Sequence, residues 1–477
     1  MFRIYNFTAE TQRTQRKPLL VLLCALCVSA VNILSAAEPV DAIWSARYVI
    51  TEDPRHRVIE NGAVAIRADR ILAVGARAEI DSRYTPKQRL DRPDAILAPG
   101  LINTHTHAAM SLLRGIADDL RLQDWLEHYI FPAEAKNVSP DFVRWGTRLG
   151  CLEMLLGGTT TFTDMYYFED VAAEAAKEAG MRGVLGETII GFPVADAKTP
   201  ADSLAFTEKY INRFRNDPLI VPAVAPHAIY TNSDETLKAS RALANKYNVP
   251  LVIHVAETKK EVDDTLAQRH MTPVKALDTL GVLTGRTVAA HCVWVNDADI
   301  AVLKQRGTGV AHCPSSNMKL ASGVAPVVRM LELDMPVGLG PDGPAGSNND
   351  FNLFEEMDLA AKLQKVTTLN PQALPASAAL EMATIRGARA LGMEKEIGSL
   401  EPGKRADLIM VRIDRPNAVP IYDPVSQMVY ALKGDDVRDV MVNGKLVVRD
   451  AKILTLNEPL ILQKAAEYRD KVKASLK

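Results

Sequence analysis

The sequence predicts an α/β protein with a large (β/α)8 barrel of the TIM type and a smaller composite β-sandwich domain built from both chain ends. Two observations predict this architecture. Apolar strand-like runs alternate with helical stretches through roughly 300 central residues, and short strands with turns occupy both ends of the chain. The length of 477 residues exceeds what one hydrophobic core usually organises, which also favours two domains.

The β-sandwich domain is predicted from short strand-like segments separated by turns. Four of them lie near the start of the chain, at residues 46–51, 62–67, 70–74 and 95–98. The far end adds residues 406–411 and 437–448, with a hairpin turn at Asn443-Gly444. We therefore expect residues 38–97 to form the first part of this domain, and residues 398–477 to form the second part with a C-terminal helix.

The barrel is predicted for residues 98–397. Its strand-like runs lie at residues 158–162, 181–185, 220–225, 251–254, 287–291, 309–313 and 337–340. Helical stretches lie between these runs, as the connections between parallel strands require. A doubly wound open sheet would produce similar runs, so the pattern alone leaves closure of the sheet open.

The first 37 residues have the pattern of a secretory signal peptide. Basic residues at positions 13, 16 and 17 precede an apolar run at residues 19–34, and the small residues Ser35-Ala36-Ala37 follow. We expect cleavage after Ala37 and export to the periplasm or the medium, with no stable membrane partner afterwards. The alternative is a retained anchor, but the run is short for a hydrocarbon core about 30 Å thick.

Net charge and cysteine usage narrow the function classes. The chain has 56 Lys and Arg against 58 Asp and Glu, so no basic excess attracts a nucleic-acid backbone. Beyond the predicted signal peptide only Cys151, Cys292 and Cys313 remain, and their spacing is not that of a disulfide framework. We expect a small-molecule substrate and no nucleic-acid partner, whereas a homo-oligomer stays possible.

Polar side chains stand at the ends of several predicted strands. His105 and His107 follow an apolar run, and a two-residue step on an extended chain points both imidazoles the same way. His254, His291 and Asp342 each end another strand. Alone, each could be an ordinary core polar group or a helix cap. Because catalytic groups in parallel barrels sit at the carboxyl ends of strands, together they predict one convergent site.

The residue types at this predicted site favour a metal ion. Imidazole and carboxylate ligands suit Zn²⁺, or another divalent ion such as Fe²⁺, with one position left open for water. Such an ion makes water a nucleophile near neutral pH. Glu257, three residues after His254, could then move a proton without being a ligand. The alternative interpretation of Glu257 is a carboxylate in the first turn of a helix.

Several motifs occur along the chain in one order and spacing. They are Pro99-Gly100-Leu101-Ile102-Asn103-Thr104-His105-Thr106-His107, His254-Val255-Ala256-Glu257-Thr258, Ala290-His291-Cys292, Pro314-Ser315-Ser316-Asn317-Met318-Lys319-Leu320, Gly340-Pro341-Asp342-Gly343 and Ser347-Asn348-Asn349. With them the chain resembles the amidohydrolase superfamily and, within it, the 5-methylthioadenosine/S-adenosylhomocysteine deaminases. The likeness runs from about residue 41 to about residue 451.

The resemblance implies which residues form the active site. One metal ion would be held by His105, His107, His254 and Asp342. The implied catalytic residues are Glu257, His291 and Asp342. The implied substrate-binding residues are Glu134, His227, Glu257 and Asp342, with Glu134 accepting hydrogen bonds from both ribose hydroxyls. Members with two metals usually have a carboxylated Lys or an extra carboxylate after the middle strands, and Pro226-His227-Ala228 offers no such Lys.

The implied reaction is hydrolytic deamination of an adenosine-type nucleoside, such as 5-methylthioadenosine, S-adenosylhomocysteine or adenosine, to the inosine analogue plus ammonia. Alternatives in the same superfamily are hydrolysis of an s-triazine and of other aminated or halogenated heterocycles. A secreted binding protein without turnover is a further alternative, against which the intact ligand set and Glu257 argue. Some members carry an Arg after the third barrel strand that helps to hold the substrate. This chain has Val184-Leu185-Gly186-Glu187-Thr188 there, so the sequence leaves the identity of the distal half of the substrate open.

Overall fold

The computed structural model of the protein describes residues 37–476. Its central feature is a closed barrel of parallel strands. The barrel strands are β5 (Leu101–Thr106), β6 (Thr159–Tyr166), β7 (Arg182–Ile189), β8 (Ile220–Pro226), β9 (Leu251–Val255), β10 (Thr287–His291), β11 (Gly309–His312) and β12 (Val337–Leu339). They follow one another in sequence order around the barrel, and β12 pairs with β5 to close it. The predicted (β/α)8 barrel is therefore confirmed.

Most of the helices connect the barrel strands, whereas those at residues 77–83 and 424–430 connect strands of the second sheet and the helix at residues 458–475 follows the last strand. Before and within the barrel these are α1 (Arg77–Arg83), α2 (Leu122–Trp125), α3 (Phe131–Asn137), α4 (Pro140–Leu156), α5 (Glu169–Ala179), α6 (Pro200–Phe214), α7 (Asp234–Tyr247), α8 (Lys259–Arg269), α9 (Pro273–Thr279), α10 (Asp297–Arg306), α11 (Pro314–Lys319) and α12 (Val327–Glu332). After the last barrel strand they are α13 (Leu353–Thr368), α14 (Ala376–Met382), α15 (Ile385–Ala390), α16 (Pro424–Tyr430) and α17 (Glu458–Ser475). A buried apolar cluster between strands and helices forms the main core.

A second sheet combines strands from both ends of the chain, as predicted. Its strands are β1 (Glu38–Ile50), β2 (Val58–Arg67), β3 (Arg70–Ala76), β4 (Tyr84–Pro99), β13 (Leu408–Arg412), β14 (Val437–Val442), β15 (Lys445–Arg449) and β16 (Lys452–Ile453). The two ends meet on β4, which pairs with β1 on one side and with β13 on the other. Strands β1 and β4 extend beyond the predicted segments because they pair with each other along most of their length.

The chain passes from this sheet into the barrel at Gly100. Strand β4 ends at Pro99 and β5 begins at Leu101, so the apolar run through residues 96–102 belongs to two strands. A Cβ atom at Gly100 would lie 2.1 Å from the Thr160 hydroxyl oxygen, so only glycine fits this close approach. The Gly100 N–H donates to the Asp407 carbonyl at 3.0 Å, which ties the crossing to the C-terminal part of the second sheet.

Three further points concern membrane-spanning helices, the predicted signal peptide and the cysteines. Among residues 37–476, no helix is both long enough and apolar enough to cross a membrane. The predicted signal peptide lies outside the described residues, apart from its last residue, and stays a prediction. Cys151, Cys292 and Cys313 are buried free thiols, in agreement with the absence of a framework spacing.

Candidate active site

The structure brings the predicted strand-end residues together at one mouth of the barrel. His105 lies in β5 and His107 just beyond it, His254 lies in β9, His291 ends β10, and Asp342 follows β12. One ligand atom from each of His105, His107 and His254 lies within 4.8 Å of the others, and the same holds for His105, His291 and Asp342. The carboxyl ends of parallel strands therefore deliver imidazoles and a carboxylate to one point, as expected of this fold.

Backbone carbonyl groups orient two of these imidazoles. The Nδ1 atom of His107 lies 2.7 Å from the Met165 carbonyl oxygen, and Nδ1 of His254 lies 2.8 Å from the His227 carbonyl oxygen. An Nδ1–H that donates to a carbonyl leaves the Nε2 lone pair free. This is the tautomer that a histidine needs in order to bind a metal ion through Nε2.

The buried donor set fits a metal ion. Neither ring nitrogen of the fully buried His105 has a hydrogen-bond partner. Burial lowers the pKa of His105 to about 4, although the Asp342 carboxylate partly offsets this. Burial and the neighbouring imidazoles also lower the pKa of His254 well below its ordinary value. Neutral imidazoles next to a carboxylate are the ligand chemistry of Zn²⁺ and similar ions.

Asp342 occupies a constrained position between two strands. Its Oδ1 atom lies 3.3 Å from Nε2 of both His105 and His107. Its N–H donates to the His105 carbonyl at 3.2 Å, and the Thr106 hydroxyl donates to its carbonyl at 2.7 Å. Asp342 and His291 both have left-handed backbone conformations, with φ of 64° and 69°. Such strain in residues other than glycine persists only where the surroundings enforce it, and it clusters at functional sites.

Glu257 lies in the loop between β9 and α8, with its carboxylate facing His291. Its Oε2 atom is 3.9 Å from Nε2 of His291. Burial raises the pKa of Glu257, although the nearby His291 opposes the shift. A buried carboxyl group with a raised pKa suits a residue that both takes and gives a proton near neutral pH. Since Thr258 caps α8, Glu257 precedes the helix and is not a carboxylate of its first turn.

Glu261, which sequence reasoning missed, supports the loop that carries Glu257. Its two carboxylate oxygens accept the N–H groups of Ala256 and Glu257, each at 2.9 Å. Glu261 is buried, and burial raises its pKa to about 7. The only signal in the sequence is its position in the first turn of α8, four residues after Glu257.

The α11 motif supports both His291 and Asp342. Asn317 Oδ1 lies 3.0 Å from His291 Nδ1, and the Ser316 hydroxyl donates to Asp342 Oδ2 at 2.6 Å. The preceding Ser315 donates to the buried Glu356 through its hydroxyl and its N–H. These residues belong to the motif at positions 314–320, and the sequence alone assigns them no role. Their signal was the run of small polar residues directly after β11.

Glu134 and His227 line the same pocket as the strand-end residues. The pocket walls include His107, Glu257, His291 and Asp342 together with Glu134 and His227. The Tyr166 hydroxyl donates to Glu134 Oε1 at 2.7 Å, and burial raises the pKa of Glu134 to about 7, which that hydrogen bond opposes. Burial lowers the pKa of His227 to about 3, so its imidazole is neutral.

Apolar and aromatic residues that sequence reasoning missed form the outer wall of the pocket. Most come from the segment between β5 and α4, which contains a π-helical turn at Leu126–Ile130. π-helical turns are rare and are often found at functional sites. The wall residues are Met110, Leu122, Trp125, Leu126, Ile130, Phe131, Tyr166, Tyr167 and Tyr230. In the sequence, neither strand alternation nor a motif indicates that these residues line a pocket.

Glu187 occupies the part of β7 where some members of the resembling family carry an Arg. It is buried, and its carboxylate accepts the Glu169 N–H at 2.9 Å. Burial and the neighbouring Asp196 raise its pKa well above the ordinary value. Among the described residues that line the pocket there is no Lys or Arg. The described lining residues of this pocket therefore offer no cation to a substrate.

Comparison with known proteins decides the family. The model of the amidohydrolase family matches residues 96–447. The chain belongs to the amidohydrolase family. This membership confirms the resemblance and places the protein among hydrolases.

Individual amidohydrolases resemble the chain over nearly its whole length. It is 46% identical to 5-methylthioadenosine/S-adenosylhomocysteine deaminase 1 of Syntrophus aciditrophicus over 92% of this chain and 99% of that protein. An adenosine deaminase from Xanthomonas campestris with bound zinc is 39% identical, with a TM-score of 0.90 over 92% of this chain and 100% of that one. The atrazine chlorohydrolase of Arthrobacter aurescens TC1, complexed with zinc, is 26% identical, with a TM-score of 0.82 over 90% of this chain and 100% of that one.

Proposed function

We propose that the protein is a metal-dependent deaminase that hydrolyses an adenosine-type nucleoside to the inosine analogue and ammonia. The observation that carries this proposal is one pocket in which Glu134 and His227 face the strand-end residues and Glu257. Glu134 and His227 suit binding of a ribose and its base. The strand-end residues and Glu257 suit attack of water on the base. The deaminase relatives support the same reaction class.

The ligands that would hold one divalent ion are His105, His107, His254 and Asp342. A bound Zn²⁺ would supply Lewis-acid chemistry that makes water a nucleophile near neutral pH. The same donors also suit Fe²⁺ or another divalent ion. The unpartnered ring nitrogens of His105 support this assignment, because a buried imidazole without partners is costly unless it binds something.

Glu257 is the proposed proton carrier. Its carboxylate takes a proton from the attacking water and gives it to a ring nitrogen of the base, which makes the adjacent carbon electrophilic. His291 and Asp342 hold the water in line with that carbon. A second proton, from the hydroxyl group newly bound to that carbon, passes through the site carboxylates to the amino nitrogen; as the carbon returns to its planar form, its bond to the amino nitrogen breaks and ammonia leaves. The 3.9 Å separation of Glu257 and His291 supports their joint action on one water.

Glu134 and His227 are the proposed substrate-binding residues. One Glu134 oxygen accepts the Tyr166 hydroxyl, and the second oxygen remains available to ribose hydroxyls. A carboxylate is suited to two hydroxyl groups because it has acceptors only. A free heterocycle would leave the second oxygen of this buried carboxylate without a partner, which costs about 1–3 kcal/mol. The pocket therefore favours a nucleoside over a free adenine or a triazine.

The direct test is ammonia release by the purified, metal-loaded protein. The panel contains adenosine, 5-methylthioadenosine, S-adenosylhomocysteine, free adenine, a guanine derivative and a chloro-triazine. We expect the adenosine-type nucleosides to have the highest kcat/KM values. A chloro-triazine or a free base as the best substrate would contradict the proposal. No release from any compound would favour a binding protein without turnover.

We also propose that the protein is exported, on the basis of the basic start, the apolar run and Ser35-Ala36-Ala37. N-terminal sequencing of protein from the native host should give Glu38 as the first residue. An intact Met1 on protein from the cytoplasmic fraction would contradict this proposal.

A further inference from the structure

Glu261 makes unusual contacts for a residue at the start of a helix. Helix α8 is capped by Thr258, whose hydroxyl accepts the Glu261 N–H at 3.2 Å. In an ordinary capping box, the glutamate at the third helical position would in turn accept the N–H of the capping residue. The Glu261 carboxylate instead reaches past Thr258 and accepts the N–H groups of Ala256 and Glu257, each at 2.9 Å. It therefore binds the loop that carries Glu257 rather than the end of its own helix.

Helix α10 shows the ordinary arrangement in the same protein. Its third residue is Asp299, which accepts the N–H of the capping residue Asn296 at 3.2 Å, while the Asn296 side chain accepts the Asp299 N–H at 3.0 Å. Asp299 and Glu261 are both buried, and both helices follow a barrel strand. Capping alone would give Glu261 the contacts that Asp299 has. The contacts of Glu261 therefore serve the loop before α8.

The peptide that Glu261 binds is also tied to the loop after His291. Ala256 has a left-handed backbone conformation, with φ of 50°. Its carbonyl accepts the N–H groups of Val293 at 3.1 Å and of Trp294 at 2.9 Å. A left-handed conformation is costly for alanine and persists only where the surroundings enforce it. Hydrogen bonds to the N–H and to the carbonyl of Ala256 thus hold this conformation, and with it the residue that follows.

Glu261 lies outside the space that a substrate would occupy. It is buried, and it is not among the residues that line the active-site pocket, which include Glu257 and His291. It lines a neighbouring cavity of about 780 Å³ instead. Each of its carboxylate oxygens already accepts a backbone N–H. Any effect of Glu261 on turnover must therefore pass through the loop that it binds.

We infer that Glu261 is a positioning residue that holds the Glu257 carboxylate within reach of both the attacking water and the base. The inference rests on the proposed deaminase function and adds to it a residue outside the pocket. A proton carrier must lie within hydrogen-bond distance of the groups that it serves, and a displacement of about 1 Å can lower turnover by about 100-fold. A glutamate suits this role because it offers two acceptors. A glutamine would turn its amide N–H groups towards one of the two backbone N–H donors.

The test is the Glu261→Gln variant of the metal-loaded full chain. Ammonia release from adenosine and from 5-methylthioadenosine gives kcat and KM. We expect kcat to fall by about 10- to 100-fold. KM should stay within about twofold of its value in the unchanged protein, because Glu261 is not part of the pocket wall. The metal content should not change.

The matched control is Asp299→Asn, which replaces the other buried carboxylate at a third helical position with its amide. Both variants should lower the thermal stability, but only Glu261→Gln should lower kcat. A normal kcat in Glu261→Gln, or an equal loss of kcat in both variants, would overturn the inference alone. No ammonia release by the unchanged protein would overturn it together with the proposed function.

A double substitution tests whether Glu261 acts through Glu257. In the Glu257→Gln protein the proton carrier is already lost, so its position no longer matters. Adding Glu261→Gln should then lower the residual kcat by no more than about twofold, because residues that act as a unit have non-additive effects. A further loss as large as the one that Glu261→Gln causes by itself would show that Glu261 acts independently of Glu257, and would overturn the inference.

An Ala256→Gly background covers the case in which Glu261→Gln does not fold. Glycine adopts the left-handed conformation without steric cost, so the fold depends less on the hydrogen bonds from Glu261. In this background Glu261→Gln should still lower kcat by about tenfold or more relative to Ala256→Gly alone, because the freed loop holds Glu257 less accurately. Thermal unfolding shows whether both proteins are folded at the assay temperature. An equal kcat in the two folded proteins would overturn the inference.

Discussion

The deep end of the pocket and its outer wall are built by different parts of the fold. The deep end takes His105, His254, His291 and Asp342 from strands or from the residues directly after them. Most residues of the outer wall come from the segment between β5 and α4, and Tyr166, Tyr167 and Tyr230 come from the end of β6 and from the connections after β6 and β8. Rigid strand ends fix the groups that need accurate geometry, whereas connecting segments shape the space around the substrate. Chemistry and substrate choice should therefore respond to different substitutions.

Metal removal should produce the largest loss of activity, because the residues at the deep end of the pocket would then have no ion with which to activate water. We expect one divalent ion per chain, loss of activity on chelation and recovery with Zn²⁺ or a similar metal. His105→Ala should lose the ion, whereas the exposed His270→Asn should keep it. Elemental analysis alongside activity checks this. Two ions per active chain, or full turnover after exhaustive chelation, would contradict a mononuclear site.

Glu257→Gln should lower turnover by on the order of 100-fold or more, because an amide cannot carry the proton. The metal content and the fold should not change, since Glu257 is not among the proposed ligands. Glu60→Gln, at an exposed position near the start of β2, is the matched control and should behave like the unchanged protein. Steady-state kinetics with metal analysis checks both variants. Near-normal turnover in the Glu257→Gln protein would mean that another acid carries the proton.

Asn317→Leu should lower kcat by about 10- to 100-fold, as expected when the partner that orients an active-site imidazole is lost. The Asn317 side chain accepts from His291 and lines no part of the pocket, so KM should change little. Asn317→Asp retains an acceptor at that position and should recover most of the activity. An equally low kcat in Asn317→Leu and Asn317→Asp, or a rise in KM without a fall in kcat, would contradict a role of Asn317 in orienting His291.

The contrast between the two regions also explains what the sequence could predict. The alternation of apolar runs and helices predicted the barrel strands. It also predicted that His254, His291 and Asp342 lie at the ends of those strands, which the structure confirms. The break at Gly100 was missed because β4 and β5 are both apolar and only one residue separates them. Asn317 and Glu261 were missed because an orienting hydrogen bond depends on distances in space, which the order of residues does not show.

The outer wall could not be predicted for a related reason. Trp125 and Tyr167 lie in segments without strand periodicity, and their burial depends on how those segments fold over the barrel mouth. Glu134 was found only through the resemblance, because a glutamate after a proline at a helix start is usually solvent-exposed. In the structure it is 7% exposed and bonded to Tyr166. Burial therefore distinguishes Glu134 from an ordinary helix-start glutamate.

Glu134→Ala should have the smallest effect, and it should change substrate choice more than turnover. Loss of an acceptor for the ribose hydroxyls should lower the preference for adenosine over 2′-deoxyadenosine by about 5- to 10-fold, the equivalent of about one hydrogen bond. Metal content should not change, and the exposed Glu127→Ala, on the same segment, should keep the preference.

The pH dependence of the same ratio sharpens this last prediction. Burial raises the pKa of Glu134 to about 7, so its carboxylate is fully ionised only above that pH and becomes protonated below it. Protonation removes acceptor capacity, so the preference for the 2′-hydroxyl should weaken as the pH falls from about 8 to about 6. Measurement of kcat/KM for both nucleosides across this range checks it, with Glu134→Ala expected to give a flat ratio. A ratio that is unchanged by the substitution at every pH would remove the main reason to prefer a nucleoside over a free heterocycle.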